Sequence, residues 1–267
     1  MHPMLNIGIR AARAAGSVIT RNMERVDTLQ IEQKQRNDFV SEVDRSAELE
    51  IYKVLNKAYP QHSMLGEESG LVGEADAEYQ WIVDPLDGTT NFIHGYPYFS
   101  VSIALLHKKR LDQAIVYNPV SQELFTASRG EGAWLNNKRI RVSKRQRIDN
   151  ALIGSSFPYR DGQDLAFYQE SLRLYTEAAG GIRRAGSAAL DLAAVAAGRL
   201  DGLWMYGMQS WDVAAGALLV REAGGLLNDF DAKDNWMEGG QLIAATPKVH
   251  HAMVQIMKPL AKEKLSS

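Results

Sequence analysis

WIVDPLDGTTNF, residues 81–92, carries the strongest signal in the chain. The apolar run 81–83 is typical of a buried strand, and Pro85 predicts that strand pairing ends there, because proline fixes φ and has no backbone donor. Asp84 and Asp87 then lie on a stiff turn, where neighbouring carboxylates repel unless a positive charge lies between them. The turn therefore predicts a bound divalent cation.

The remaining composition narrows the kind of cation. The chain contains no cysteine and no paired-histidine motif, so the available ligands are oxygen atoms, which select Mg²⁺ or Mn²⁺ over zinc. The glycine-hydroxyl turn at 88–91 follows the acids, and exposed N–H groups in such a turn form a cradle for anionic oxygens. Carboxylates for metal beside donors for phosphate predict a phosphoryl-transfer site.

Two other acidic positions are candidates for the same site. GEESG, residues 66–70, places Glu67 and Glu68 between glycines after the apolar pair Met64 and Leu65, although a charged turn is the ordinary interpretation of such a stretch. Asp212, in SWDVAAG, is typical of a helix N-cap. The two interpretations of Asp212 are compatible, because an aspartate at a helix N-terminus stays ionised and can direct an oxygen toward a metal.

Length and charge bound the class of protein. The chain has 267 residues, of which 45% are hydrophobic, and this suits one large domain or two intimate lobes. A net charge of -2 does not favour an obligate polyanionic partner. The first apolar stretch is broken by Arg10 and Arg13, unlike a secretory signal, and no apolar run reaches the roughly 20 residues of a membrane span. We expect a cytoplasmic location.

Apolar periodicity predicts helices and strands in alternating blocks. Helices are expected from Met4 to about Met23, from Glu42 to Ala58, and in FYQESLRLYTEAAG (167–180), GSAALDLAAVAAGRLDG (186–202) and WDVAAGALLVREAGG (211–225). An antiparallel meander is expected between Tyr98 and Val142, followed by a strand in ALIGSSFP (151–158). The basic stretch 138–147 suggests a boundary between an N-terminal lobe, 1–145, and a C-terminal lobe, 146–267. Ser41 and Asp44 form a potential capping box.

These motifs resemble those of a known family. WIVDPLDGTTNF, with GEES upstream and WDVAAGALLVREAGG downstream, resembles the inositol monophosphatase family over essentially the whole chain, and RRAGSAALDLAAVAAGRLDG is similar to its bacterial SuhB branch. The resemblance implies a layered α-β-α-β-α sandwich, an α/β (α+β layered) fold like that of inositol monophosphatase and fructose-1,6-bisphosphatase. It also implies Mg²⁺-dependent hydrolysis of inositol 1-phosphate or a related sugar or polyol phosphate, with Mn²⁺ as a substitute, inhibition by Li⁺, and a homodimer.

The resemblance also implies roles for particular residues. The implied metal ligands are Glu67, Asp84, Asp87, Asp212 and the carbonyl of Leu86. The implied catalytic residues are Glu67 and the pair Thr89 and Asp44, which would polarise a metal-activated water for in-line attack on phosphorus. The implied substrate-binding residues are Leu86, Asp87, Gly88, Thr89, Arg183, Gly186, Ser187, Ala188 and Asp212. Lys34 lies near the position of a mobile catalytic-loop lysine, and a capping role remains an alternative for Asp44.

Two observations keep the function open. Seven residues before Asp212, where relatives acting on inositol phosphates usually carry a glutamate, this chain has Met205, whose thioether cannot accept two strong hydrogen bonds. The SuhB resemblance implies a second function, transcription antitermination through RNA polymerase, Nus partners and RNA. KRIRVSKRQR (138–147), with six basic residues in ten, is a candidate contact for RNA, although a solvated strand edge is its ordinary interpretation.

Overall fold

The computed structural model describes residues 2–28, 31–35, 38–156 and 164–265. The helices within these ranges are α1 (Pro3–Asn22), α2 (Glu42–Ala58), α3 (Thr89–Ile93), α4 (Leu165–Ala178), α5 (Ala188–Ala196), α6 (Ser210–Glu222), α7 (Trp236–Gly239) and α8 (Pro247–Leu265). Short 3-10 turns lie at Met23–Thr28 and Ile148–Asn150.

The strands of the described ranges alternate with these helices. They are β1 (Ile31–Gln35), β2 (Asp38–Ser41), β3 (Ser63–Gly66), β4 (Gly70–Val72), β5 (Tyr79–Asp87), β6 (Ser100–His107), β7 (Arg110–Asn118), β8 (Glu123–Ser128), β9 (Gly132–Leu135), β10 (Lys138–Ile140), β11 (Leu152–Ser155), β12 (Gly181–Arg183), β13 (Gly202–Tyr206), β14 (Leu226–Asn228) and β15 (Gln241–Ala245).

Two large sheets organise the chain. The first has eight strands in the order β10-β9-β8-β7-β6-β5-β3-β4, and the second has five in the order β12-β11-β13-β15-β14, beside a two-stranded hairpin of β1 and β2. The run from β5 to β10 pairs antiparallel throughout, which confirms the predicted meander. Parallel pairs, β3 with β5 and β11 with both β12 and β13, give each large sheet a mixed character.

Helices cover both faces of each large sheet. Helices α1 and α2 pack on one face of the eight-stranded sheet, and the buried residues of β5 to β7 that point to that face join them in one core. The intervening residues of the same strands point to a second core, shared with α5, α6 and the five-stranded sheet. Helices α4 and α8 close the far face. The layers thus follow the predicted order α-β-α-β-α, because strand side chains alternate between faces.

Strand β5 corrects the prediction made at Pro85. Pairing does not end there: β5 continues to Asp87, with Asp84 opposite Ser102 and Asp87 opposite Ser100. Three steps along β5 therefore match two along β6, so one extra residue is inserted as a bulge. A bulge accommodates proline inside a sheet, because the bulged residues need not donate to the ladder.

The predicted helices are found, and the described ranges also contain α3, α7 and α8. The bounds of α1, α2, α4, α5 and α6 confirm the five predicted helices, and Gly198 and Gly224 follow α5 and α6 with φ of 70° and 90°. The C-terminal helix α8 was not among the predictions. Asp212 corrects another detail: it is the third residue of α6, and the N-cap position is held by Gln209. The side chain of Ser41 lies outside the described residues, so its capping box stays a prediction.

The proposed lobes are not separated by a gap in the layers. The eight-stranded sheet ends with Ile140 and the five-stranded sheet begins with Leu152, yet α5 and α6 pack against both sheets. The division into residues 1–145 and 146–267 stays a prediction. In the described part of the chain, no helix combines the length and the apolar character needed to cross a membrane.

Candidate active site

Asp84 belongs to a group of four acids, of which Asp84, Asp87 and Asp212 are buried and Glu67 is half-buried. The side chain of Asp84 is 2% exposed, and its pKa is raised well above the ordinary value, first by burial and then by the charges of Glu67, Asp87 and Asp212. A backbone N–H from Leu86 to Oδ1, at 3.0 Å, partly offsets this. Three distant parts of the chain therefore bring their acids close enough for each to repel the charge of Asp84.

Asp87 is held by the N-terminus of α5. Its Oδ1 accepts the backbone N–H of Ala188 at 3.1 Å, and its Oδ2 accepts the N–H of Ala189 at 2.8 Å and the hydroxyl of Ser187. Burial raises the pKa of Asp87 to about 6, the hydroxyl of Ser187 opposes that rise, and the charge of Asp212 adds to it. The predicted substrate wall at 186–188 thus contacts the predicted metal corner directly.

Asp212 enters the site from the first turn of α6. It is buried, and its Oδ2 accepts the backbone N–H of Gln209 at 2.7 Å, so the side chain also closes the start of the helix. The helix N-terminus favours a negative charge at this position. Both functions considered for this residue, capping and a place in the acid group, are therefore compatible with its position.

Thr89 joins two of the predicted residues. Its hydroxyl lies 2.8 Å from Oδ1 of Asp44 and 3.1 Å from the carbonyl oxygen of Leu86, and a hydroxyl has one hydrogen to donate. Asp44 is buried on α2 and accepts this hydrogen at the shorter distance. The predicted pair of Thr89 and Asp44 is thus in contact, although its role in polarising water stays a prediction.

The turn after β5 is tied to the segment before α5. Gly88 has φ of 99°, and a Cβ built there would lie 3.1 Å from the carbonyl oxygen of Gly186, so glycine is required for this close approach. Asn91 donates its side-chain amide to the carbonyls of Tyr98, at 2.6 Å, and Ala185, at 2.9 Å. The amide therefore fastens two backbones on either side of the site.

A further buried acid, Asp191, lies on α5. Asp191 accepts the hydroxyl of Tyr98 at 2.8 Å, and burial raises the pKa of Asp191 to about 7 against the lowering effect of that hydrogen bond. The residues that sequence reasoning missed are Tyr98, Asp191 and Glu48, and the position of Asn91 was noted only as part of a turn. Their partners are remote in sequence, so only the periodic burial of Glu48 and Asp191 on helices offered a signal.

Other predicted positions lie apart from the acid group or outside the description. Arg183 is exposed on β12 and donates Nη1 to the carbonyl of Ile182 at 2.9 Å. Met205 is buried in the core between the two sheets, with 1% exposure. The side chain of Lys34 lies outside the described residues. His94 is exposed, and its Nδ1 lies 2.7 Å from the carbonyl oxygen of Thr90.

The donor set fits a hard divalent cation by charge and atom type. All the predicted ligands are oxygens, and their mutual repulsion around a desolvated Asp84 is what a cation would relieve. The acids are not arranged as a complete coordination site: over the described ranges, no three histidine or acidic side chains are placed ready to hold a metal ion. Both oxygens of Asp87 accept donors at the start of α5, but Oδ1 accepts only one of them, so acceptor capacity for a cation remains there.

The chain is a layered α/β protein with a carboxylate-rich strand end, and comparisons with known proteins identify its family. The chain belongs to the inositol monophosphatase family, whose model matches residues 1–261. "Nus factor SuhB" of Pseudomonas aeruginosa is 52% identical over 264 residues, covering 97% of each chain. The crystal structure of extragenic suppressor protein SuhB from Bartonella henselae has a TM-score of 0.93 at 42% identity, covering 96% of this chain and 99% of that one.

A more distant relative has the same architecture. The Thermotoga maritima IMPase is 30% identical with a TM-score of 0.88, covering 98% of this chain and 99% of that one. The predicted family, its SuhB branch and the predicted fold are thus confirmed. Membership of this family supports the assignment of the chain as a phosphatase.

Proposed function

We propose that the chain is a Mg²⁺-dependent phosphomonoesterase that hydrolyses inositol 1-phosphate or a related sugar or polyol phosphate. The observation that carries this proposal is the effect of Glu67, Asp87 and Asp212 on the pKa of buried Asp84. A cluster of desolvated acids is costly in a folded protein unless a cation compensates it. A cytoplasmic location, a homodimer and inhibition by Li⁺ belong to the same proposal and stay predictions.

The residues that would hold the cation are those predicted from the motifs. Glu67, Asp84, Asp87 and Asp212 would supply carboxylate oxygens, and Leu86 would supply its carbonyl. Bound Mg²⁺ would supply charge neutralisation at the phosphate and a lowered pKa for water. Because most of the barrier to phosphoryl transfer is reduced by positioning and charge, this chemistry asks little else of the protein.

Thr89 and Asp44 would orient a water molecule. Since the Thr89 hydroxyl donates its hydrogen to Asp44, its oxygen lone pairs are left to accept a hydrogen from water. Because that hydrogen goes to Asp44, the carbonyl oxygen of Leu86 accepts no hydrogen bond from Thr89. The backbone around Gly186, tied by Asn91 to the turn after β5, would form the wall against which the ester lies.

The residue at position 205 bears on which substrate is preferred. Met205 offers no hydrogen-bond acceptor of carboxylate strength, and its burial keeps it in the core. Inositol 1-phosphate and other small phosphomonoesters are therefore all candidate substrates, and their rates of hydrolysis must be compared.

A panel of esters assayed with and without Mg²⁺ tests this proposal. It contains inositol 1-phosphate, glycerol 2-phosphate, fructose 1,6-bisphosphate, adenosine 3′,5′-bisphosphate and histidinol phosphate. We expect Mg²⁺-dependent release of phosphate from at least one ester, loss of it in D84N, and retention in D76N, a matched change at an exposed aspartate. Zero turnover of every ester by the folded chain would contradict the phosphatase.

A second function, in transcription, is favoured by the similarity to "Nus factor SuhB" of Pseudomonas aeruginosa. We infer that the chain contacts RNA polymerase, Nus partners and RNA, with the phosphatase activity secondary in that case. The basic segment 138–147 supplies a surface for RNA. Arg145 and Arg147 pair with Asp201 and Asp149. Within the described ranges, the side chains of Lys138, Arg139, Arg141 and Lys144 make no ion pair.

An aromatic side chain accompanies these four cations. Trp134 on β9 is 38% exposed and lies directly opposite Arg139 on the edge strand β10. Cations beside an exposed aromatic ring are the features that single-stranded nucleic acid requires, one for phosphate and the other for base stacking.

RNA binding at several salt concentrations tests this second function. We expect the affinity for a single-stranded RNA to fall linearly with salt on a logarithmic plot. Each phosphate that a cation neutralises adds about 0.7 to that slope, so the variant R139A/R141A/K144A should lower the slope by about 2. R173A, at an exposed arginine paired within α4, is the control. Binding that is insensitive to salt, or equal in both variants, would contradict a role for this segment.

A further inference from the structure

Glu48 holds the backbone that follows Glu67. Its side chain is 4% exposed, and its two oxygens accept the backbone N–H groups of Glu68, at 3.0 Å, and Ser69, at 2.8 Å. A buried carboxylate with both oxygens directed at consecutive backbone donors fixes the path of that backbone. The two donors belong to the residues immediately after the predicted ligand Glu67.

Gly66 makes this contact possible from the other side of Glu67. A Cβ built at Gly66 would lie 2.5 Å from Oε2 of Glu48, so the absence of a side chain lets the carboxylate reach the turn. The backbone N–H of Glu67 itself donates to the carbonyl of Val83 on β5 at 3.1 Å. The turn is thus fastened on one side to β5 and on the other to Glu48.

Helix α2 carries a second acid on the same face. Asp44 precedes Glu48 by four residues, a spacing that places both side chains one above the other on a helix. Asp44 accepts the hydroxyl of Thr89, and Glu48 accepts the turn beyond Glu67. One face of α2 therefore contacts both turns that carry the predicted ligands of the first half of the chain, and it sets the spacing between them.

We propose that Glu48 is a positioning residue that holds Glu67 against Asp84 and so sets the affinity of the site for a divalent cation. This inference rests on the proposed cation site. Glu48 is not assigned as a ligand, because its carboxylate is directed at the backbone of residues 68 and 69. Groups that orient ligands in this way change cation affinity by about 10–100-fold when they are replaced.

Binding of Mn²⁺ to the chelator-treated chain tests this inference without any substrate. The electron paramagnetic resonance signal of free Mn²⁺ counts the unbound ion. In E48Q, an amide NH₂ group replaces one acceptor and faces a backbone N–H, so we expect binding about 10–100-fold weaker than in the wild type. E50Q is the matched control, because Glu50 lies on the same helix and is exposed beside Lys53.

A second variant reaches the same contact from the turn. In G66A the new methyl group would displace the carboxylate of Glu48, and we expect the same weakening of Mn²⁺ binding with Glu48 itself intact. If E48Q fails to fold, G66A still decides the question. Melting temperatures measured without metal separate folding from affinity: a lower melting temperature with unchanged Mn²⁺ affinity would assign a structural role only and overturn the proposal.

The outcomes also separate this inference from the proposed phosphatase. A wild-type chain that binds Mn²⁺ but hydrolyses none of the esters would overturn the phosphatase, while weaker binding in E48Q would still support the role of Glu48. Hydrolysis by the wild type with equal Mn²⁺ affinity in E48Q and E50Q would leave the phosphatase and overturn the role of Glu48.

Discussion

Asp87 connects two parts of the site. It belongs to the acid group around Asp84, and it also accepts donors from Ser187, Ala188 and Ala189 at the start of α5. Burial raises the pKa of Asp87, and the hydroxyl of Ser187 and the backbone N–H groups of Ala189 and Ala188 at the helix N-terminus oppose that rise. A change at Asp87 therefore affects both the predicted cation site and the position of α5.

We expect Asp87→Asn to lower turnover by about a hundredfold or more, the size of the electrostatic effects that act in such sites. The same variant should lower the melting temperature without metal, because the new amide NH₂ group faces the donors of α5. Measurements of kcat and of the melting temperature separate the two effects. D76N is the control, and near-normal Mg²⁺-dependent turnover in D87N would contradict the predicted role of Asp87.

Single residues show where sequence reasoning reaches its limit. The acids at 84 and 87 were predicted because a buried strand, a proline and two carboxylates lie within a few positions. The contacts of Glu48 with residues 68 and 69, and of Tyr98 with Asp191, were not predicted. Those pairs join residues about 20 and 93 positions apart, and no local pattern specifies which buried acid meets which donor.

At the scale of elements, the crossing of α5 and α6 positions two parts of the site. A Cβ built at Gly216 on α6 would lie 2.4 Å from Cβ of Leu192 on α5, so the helices approach closely at this point. The start of α5 holds Asp87, and the first turn of α6 carries Asp212. The depth of this crossing therefore fixes how these two acids face each other.

We expect Gly216→Ala to destabilise the folded chain by about 1–3 kcal/mol, the usual cost of overpacking, and to lower activity with it. Leu192→Ala alone should cost about 2–5 kcal/mol through the cavity it leaves. Leu192→Ala keeps the contact at Cβ but removes Cγ and Cδ1, which would lie 3.0 and 2.6 Å from the new methyl group. The loss of stability in the double variant should therefore be smaller than the sum of the two single losses. Denaturant unfolding of all four proteins measures this coupling, and strict additivity would contradict the close crossing.

Secondary structure was predicted well where an apolar repeat extended over many residues. It was predicted poorly where pairing with another strand determines the structure. The five predicted helices follow from apolar residues at helical spacing and from terminal glycines. The end of β5 was misplaced, because a bulge against Ser100 and Ser102 absorbs Pro85, and the partner strand is needed to see this. The parallel pairing of β11 with β12 and β13 was not predicted, since short strands do not specify their neighbours.

For the whole molecule, the central core decides whether the chain unfolds as one unit. That core contains residues of both large sheets together with α5 and α6, so neither proposed lobe can lose it without exposing apolar surface of the other. The order of the layers was predicted from the family resemblance rather than from periodicity. Periodicity specifies which face of an element is buried, and it does not specify which sheet covers that face.

Two histidines, the half-buried His62 and the buried His250, lie on opposite sides of this core and report on cooperative unfolding. His62 stacks between the rings of Tyr59 and Tyr79, with centroids 4.7 Å away on each side, and His250 lies on α8. Burial lowers the pKa of both imidazoles below the ordinary value of 6.5, with a further contribution from His251 for His250. The unfolded chain therefore takes up these protons more readily than the folded chain.

The sign of the pH dependence follows from that difference. The contribution of each histidine to stability is complete above pH 6.5 and is lost as the pH falls below it. H62F keeps the ring stack without the titrating group, and H250L removes the second imidazole. The melting temperature of each variant should therefore decrease less than that of the wild type between pH 7 and pH 5. H94Q, at an exposed histidine, is the control and should show the same decrease as the wild type.

Because the core is shared, we expect calorimetry to show one unfolding transition, and both H62F and H250L should shift that same transition. Asp191, whose pKa burial raises to about 7, changes stability in the opposite sense, and comparison with the wild type at each pH removes this common contribution. Two transitions, one moved by H62F and the other by H250L, would contradict a single cooperative unit. They would establish residues 1–145 and 146–267 as lobes that unfold separately.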